Sequence, residues 1–439
     1  MGKRANLLRK QGTRMFGCSV AILALLLPCL ITSCTTDRAQ ADWREQSPRS
    51  YPPSVYPDRI ILTWAGDPAT SQAVTWRTDS TVEQGCAMIA PADPSPDFGD
   101  RAIRVQAETT RLEMDGVTAC YHSVNFTRLR PNMLYAYRVG SQDTWSEWFQ
   151  FRTASDRAEP FSFIYLGDAQ NAILSMWSRA IRAAYSDVPD ARFMVHAGDL
   201  VTAGYRDQLW GEWFEAGGWI FAMLPSILTP GNHERHGGEE DASLTPYWNA
   251  QFTLPVGRLS GLEEQTYFID YQGVRVISLN SNEKMEEQAV WLEGVLIRNP
   301  NRWTVVTFHH PVFSTFGGRD NRRLRDLWQP LFDRYGVDLA LQGHDHAYGR
   351  GCDASTDSAR RRSGRGTVYV VSISGPKMYD LTRAPWMVRT AENTQLYQVI
   401  TVTQDTLHYR AMTVTGKMVD AFDLVKQQDG TNLLMETMP

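Results

Sequence analysis

Five short polar motifs each stand directly after an apolar, β-forming run, and this arrangement constrains the fold more than any other feature of the chain. The runs are FSFIYL (Phe161–Leu166), RFMVHA (Arg192–Ala197), SILT (Ser226–Thr229), WTVVTF (Trp303–Phe308) and DLALQ (Asp338–Gln342). The motifs are GDAQ (Gly167–Gln170), GDLV (Gly198–Val201), GNHE (Gly231–Glu234), HHP (His309–Pro311) and GHDH (Gly343–His346). Two more runs, VRVISL (Val274–Leu279) and TVYVVSIS (Thr367–Ser374), have the same character. Between them, Leu324, Leu327, Trp328, Leu331, Phe332 and Tyr335 keep the spacing of an amphipathic helix, and Ala289, Leu292, Val295 and Leu296 do so less fully. Nearly continuous apolar strands alternating with helices predict an α/β domain with covered sheets. Sites in such sheets lie beyond the carboxyl ends of the strands. The topology therefore predicts that residues up to 178 positions apart meet at one edge.

Taken singly, each motif has an ordinary reading: a solvated Gly-Asp turn, an Asn-His cap, a turn at His-Pro. Taken together they gather six of the nine histidines, namely His196, His233, His309, His310, His344 and His346. Asp, Asn and His offer oxygen and nitrogen donors without thiolate, a set that suits Zn, Mn or Fe rather than Cu(I) or an iron–sulfur cluster. Two carboxylates, an amide and three or four imidazoles exceed what one ion needs. Two ions sharing a carboxylate account for the count, and such pairs polarise phosphoryl oxygens and generate hydroxide.

Upstream, residues 58–154 read as short strands. Arg59–Trp64, Ala73–Arg77, Tyr121–Leu129, Leu134–Gly140 and Phe149–Thr153 are rich in β-formers and separated by Gly, Pro, Asp and Asn. A β-sandwich is the natural solution. Leu129, Pro131 and Tyr135 have the spacing of the tyrosine corner in fibronectin type III-like domains. Residues 155–160 form a polar joint.

The N-terminus reads as an export signal. Lys3, Arg4, Arg9, Lys10 and Arg14 precede a 16-residue apolar run, Cys18–Ser33, which is short for a spanning helix. Ile31-Thr32-Ser33-Cys34 resembles a bacterial lipobox, in which Cys34 becomes the lipidated first residue. This predicts a signal peptide over 1–33, a flexible tether over 34–57, and lipid anchoring to the cell envelope through Cys34. Removing residues 1–33 takes five positive and no negative charges, moving the net charge from −5 to −10. A nucleic-acid partner is not indicated, because phosphate neutralisation needs a positive face. Cys86 and Cys120 lie in one candidate domain, either as a disulfide in an exported protein or as two buried thiols.

The ordered block GD, GD, GNHE, HHP and GHDHAYGR resembles the calcineurin-like metallophosphoesterases, most nearly the purple acid phosphatase-like branch. Residues Ile61–Thr78, Leu129–Gly140 and Trp145–Thr153 look like that branch's N-terminal fibronectin type III-like domain. The resemblance implies a β-sandwich over 58–154 and a two-sheet αββα metallophosphoesterase domain over 160–425. It implies that Asp168 and His346 bind a first metal and that Asp199 bridges both. Asn232, His309 and His344 complete the second site. A metal-bridging hydroxide attacks phosphorus, and His233 acts as general acid. The expected cofactors are two transition-metal ions, Fe, Zn or Mn, and the expected partner is a small phosphorylated substrate. Phosphate-monoester hydrolysis is the leading activity, with a phosphodiesterase or an inactive cell-surface binding protein as alternatives.

Two departures from the family pattern concern the first site. Thr202 stands where purple acid phosphatases carry an iron-binding Tyr, and Tyr205 comes three residues too late. Gln170 stands where other members carry His, as a candidate to coordinate or to position water. The expectation is a protein that is not purple. His310 and Arg319, the latter in the loop after HHP, are candidate phosphate-binding residues.

Overall fold

The computed structural model describes residues 49–237, 242–352 and 366–438. The expected signal peptide and residues 34–48 of the expected tether, Cys34 among them, lie outside these residues. No described helix is long and apolar enough to cross a membrane.

Two four-stranded antiparallel sheets make the N-terminal sandwich. In one, Asp58–Thr63, Gln72–Asp79, Val117–Phe126 and Glu108–Met114 lie side by side in that order; in the other, Ile103–Gln106, Cys86–Pro91, Leu134–Gly140 and Phe149–Arg152 do. Side chains alternate across each strand, so Leu62, Val74, Trp76, Ile89, Val124, Tyr137 and Phe151 meet in one core. The expected tyrosine corner is present: the Arg130 backbone N–H donates to the Tyr135 hydroxyl at 2.9 Å. Cys86 and Cys120 sit in different sheets as buried thiols and form no disulfide.

The larger domain stacks two seven-stranded sheets. The first runs Ser226–Leu228, Met194–His196, Phe161–Leu166, Leu396–Val402, Thr406–Thr413, Met418–Lys426, Asn432–Glu436. Its first three strands are parallel. The second runs Tyr267–Tyr271, Val274–Ser278, Trp303–Phe308, Leu339–Gln342, Val368–Val371, Tyr348–Cys352, Met387–Ala391. Its four central pairing partners, from Val274–Ser278 to Val368–Val371, are parallel. The period of two decides which layer each residue joins. Val305, Leu339, Leu341, Val368 and Val370 face the first sheet. Val306, Phe308, Ala340, Tyr369 and Val371 face away, against helices Met285–Ile297 and Arg322–Tyr335. Helix Ser178–Asp187 buries Ala180, Ile181 and Ala184 in the first sheet's core. This is the αββα arrangement. It aims the carboxyl ends of the parallel strands of both sheets at one edge.

The structure adds strands that the sequence reading passed over. Leu396–Val402, Thr406–Thr413, Met418–Lys426 and Asn432–Glu436 extend the first sheet antiparallel, past residue 425. Tyr348–Cys352 contains two glycines, yet it is a strand. Its Arg350 is buried and bonded in pairs to Asp420 and Glu436, at 2.8–2.9 Å.

Candidate metal centre

Asp168, Asp199 and His346 place one ligand atom each within 4.8 Å of one another, all buried. Asp168 follows strand Phe161–Leu166. Its Oδ1 accepts the His344 backbone N–H at 2.8 Å, while its buried Oδ2 has no hydrogen-bond donor. His346 Nδ1 donates to the Lys377 carbonyl at 2.9 Å. Its Nε2 therefore faces Asp168 Oδ2, 3.1 Å away. A cation held between this nitrogen and the two buried carboxylates would satisfy all three, so these residues fit a metal.

His309 organises a second set. Its Nδ1 donates to the Ala197 carbonyl at 2.9 Å. Its Nε2 lies 3.1 Å from Asn232 Oδ1, 3.1 Å from His344 Nδ1 and 3.2 Å from Asp199 Oδ2. Burial alone would depress the His309 pKa, but the Asp199 and Asp168 carboxylates outweigh it and hold it up to about 9. In the metal-free chain a proton answers the demand for a cation. Burial, with the charges of His309 and His310, pushes His344 well down. Asp199 is held well below the usual carboxylate range: burial opposes this, but His309 and His233 prevail.

The backbone is strained where the ligands are presented. Asp199 and His344 are non-glycine residues in the left-handed region, at φ 50° and 72°. Glycine permits the close approach: a Cβ on Gly231 would lie 2.1 Å from Asp199 Oδ1, and one on Gly343 would lie 2.2 Å from Asp168 Oδ1. Glu234 ties the loops together. Its buried carboxylate accepts the backbone N–H groups of Asp199, Leu200 and Gly231 at 2.8–2.9 Å. Burial and the Asp199 charge raise its pKa, and these donors favour the ionised form.

The remaining candidates divide. His233 Nδ1 donates to the Thr202 carbonyl at 2.5 Å, which turns Nε2 toward Asp199 Oδ2 at 3.8 Å. Thr202 spends its own hydroxyl accepting the Asn171 N–H at 3.0 Å, and Tyr205 is exposed. His310 bonds Ser281 through Nδ1 at 2.9 Å and has a ring nitrogen in the same cluster as His309 and His344. It also lines a cleft of about 490 Å³ with Asn232, Arg235, Ser281 and Asn282.

Gln170 and Arg319 both have protein partners. The Gln170 amide oxygen accepts from Lys377 Nζ at 2.9 Å and its N–H donates to Asp199 Oδ2 at 2.6 Å. Arg319 pairs with the buried Asp345 at 2.6 Å and donates to the His344 carbonyl at 3.3 Å.

Sequence reasoning missed Lys377 and Glu234. Lys377 follows strand Val368–Val371, so the strand-end rule that found the five motifs could have found it too. Glu234 was inside the GNHE motif, but its partners are backbone groups that no pattern displays.

Comparison with known proteins agrees with this geometry. Residues 57–153 match the purple acid phosphatase N-terminal domain, and residues 162–348 match the calcineurin-like phosphoesterase family. Human acid phosphatase type 7 is 28% identical over 335 residues, covering 68% of this chain and 71% of that protein. An uncharacterised Mycobacterium tuberculosis protein is 26% identical over 391 residues, covering 77% and 72%. Among solved structures, a purple acid phosphatase from yellow lupin (Lupinus luteus) seeds shares the fold with a TM-score of 0.75 at 17% identity, covering 85% of this chain and 75% of that one. PhoD does so with a TM-score of 0.63 at 13% identity, covering 89% and 94%.

Proposed function

We propose that this chain, a calcineurin-like metallophosphoesterase with a purple acid phosphatase N-terminal domain, hydrolyses phosphate monoesters at a two-metal centre. The carrying observation is that two groups of candidate ligands, Asp168–Asp199–His346 and His309–His310–His344, lie side by side, with His309 Nε2 only 3.2 Å from the buried Asp199 Oδ2. Asp168, Asp199 and His346 would hold one ion, and Asp199, Asn232, His309 and His344 the other. Such ions supply charge neutralisation at phosphorus and an activated water. The protein's own groups do the rest. His233, anchored through Nδ1, holds Nε2 near Asp199, from where it would protonate the leaving oxygen. His310, fixed by Ser281 in the cleft it lines with Asn232, would orient the phosphoryl group. A lone general acid supplies only about 10²–10⁴ of the acceleration, so loss of the ions would remove most activity.

The basic leader and Cys34 extend this reading to a lipid-anchored enzyme of the cell envelope. Its mark would be incorporation of labelled fatty acid that Cys34→Ala abolishes.

The test of activity compares an aryl phosphate monoester with the matching diester. The chain is reconstituted separately with Mn, Zn and Fe, and Asp199→Ala serves as the blank. The proposal expects metal-dependent turnover faster on the monoester and absent in the variant. Faster diester turnover would make the protein a phosphodiesterase. No turnover with two ions bound to the folded chain would favour a binding protein.

A further inference from the structure

Lys377 brings a fixed positive charge to the first ligand set from a loop outside all five motifs. An ammonium has no lone pair and a carboxylate has no hydrogen to give, so the amide of Gln170 can satisfy both neighbours in only one orientation. Its oxygen accepts from Lys377 Nζ at 2.9 Å and its N–H donates to Asp199 Oδ2 at 2.6 Å. Gln170 is fully buried, and the Lys377 side chain is half-buried. The amide thus passes the influence of the ammonium onto the carboxylate that both ligand sets share. The backbone of the same lysine fixes His346, whose Nδ1 donates to the Lys377 carbonyl. One residue therefore acts on two of the three ligands of the first set.

The charge count follows. The first set supplies two carboxylates and a neutral imidazole, and Lys377 offsets one of the two negative charges. Counting this set and its own ion alone, before the second ion adds its charge, a divalent ion then leaves one net positive charge and a trivalent ion leaves two.

We infer that the Lys377–Gln170 pair makes the first ligand set selective for a divalent ion over a trivalent one. This rests on the two-metal reading above, and goes beyond it in naming the residue that sets the valence. A unit charge several ångströms away, at an effective dielectric of about 20, is enough to change the preference by about tenfold or more.

The test is a competition between gallium(III), which is redox-inert, and zinc(II) for the metal-free full chain. Bound metal is counted by elemental analysis after gel filtration. The expected result is that the wild type takes up zinc and largely excludes gallium. Lys377→Met should raise the gallium-to-zinc ratio about tenfold, and Lys377→Arg, which keeps the charge, should hold the wild-type ratio. Equal ratios in the wild type and Lys377→Met would overturn the inference, as would a Lys377→Arg ratio that follows Lys377→Met. Failure of the folded wild type to bind either ion would overturn the two-metal reading itself.

Discussion

His233 and Asp199 touch each other's loops but should fail in different ways. Asp199 belongs to both ligand sets, so Asp199→Asn should lose bound metal and turnover together, as elemental analysis beside a rate assay would show. The His233 ring comes no nearer than 3.8 Å to Asp199 Oδ2, beyond hydrogen-bond distance, so His233→Asn should keep its metal while kcat falls about 10²–10⁴-fold. Metal loss in that variant would mean that the ring serves the ligands and not the leaving group. Glu234 acts through the backbone. Glu234→Gln cannot accept from Asp199, Leu200 and Gly231 at once, and should destabilise the metal-free protein by about 1–3 kcal/mol in urea denaturation. The clustering of the candidate ligands was legible because each follows a strand within a short motif. Gln170 and Arg319 were not, since what decides their roles is a partner elsewhere: Lys377 lies 207 positions from Gln170, and Asp345 lies 26 from Arg319.

At the scale of elements, strand Val117–Phe126 buries a titratable group. His122 is fully buried between Thr78 Oγ1 at 2.8 Å and Thr109 Oγ1 at 2.9 Å. Burial lowers its pKa to about 4. The folded value lies below the unfolded one of about 6.5. The unfolded chain therefore binds the extra proton, and stability is lost as pH falls from about 6.5 toward 4. The slope from this group is up to about 1.4 kcal/mol per pH unit, flattening below the folded value. His122→Gln should be less stable than the wild type at pH 7, with the gap narrowing toward pH 4 in urea titrations. A constant gap would mean that His122 does not titrate between the two states. The elements legible in the sequence were those whose pattern was saturated. Phe161–Leu166 and Trp303–Phe308 are buried on both faces and match their runs residue for residue. Strand Thr406–Thr413 alternates buried residues with the partly buried Thr406, His408 and Arg410 over its first half, so its apolar signal is diluted.

The whole molecule joins sandwich to phosphoesterase domain through a buried charge cluster. Asp207, on helix Asp207–Gly217, accepts from Arg59 at 2.8 Å and Arg77 at 3.2 Å, and Asp58 also pairs with Arg77. Asp207→Ala would leave the buried Arg59 without a carboxylate, while Arg77 keeps Asp58, at a cost of about 3–5 kcal/mol. Calorimetry of that variant should show a lowered melting temperature and a separate, earlier transition of the sandwich. The order of two domains was legible because strand-only and strand–helix patterns differ on either side of residue 155. Their junction was not, because Asp207 meets Arg59 and Arg77 only across the interface. If one centre of two ions performs the proposed hydrolysis, metal titrated into the metal-free chain, with bound ions and monoester turnover counted together, should give turnover that stays low at one ion per chain and reaches its plateau at two. Full turnover with a single ion, or none with two, would contradict the proposal.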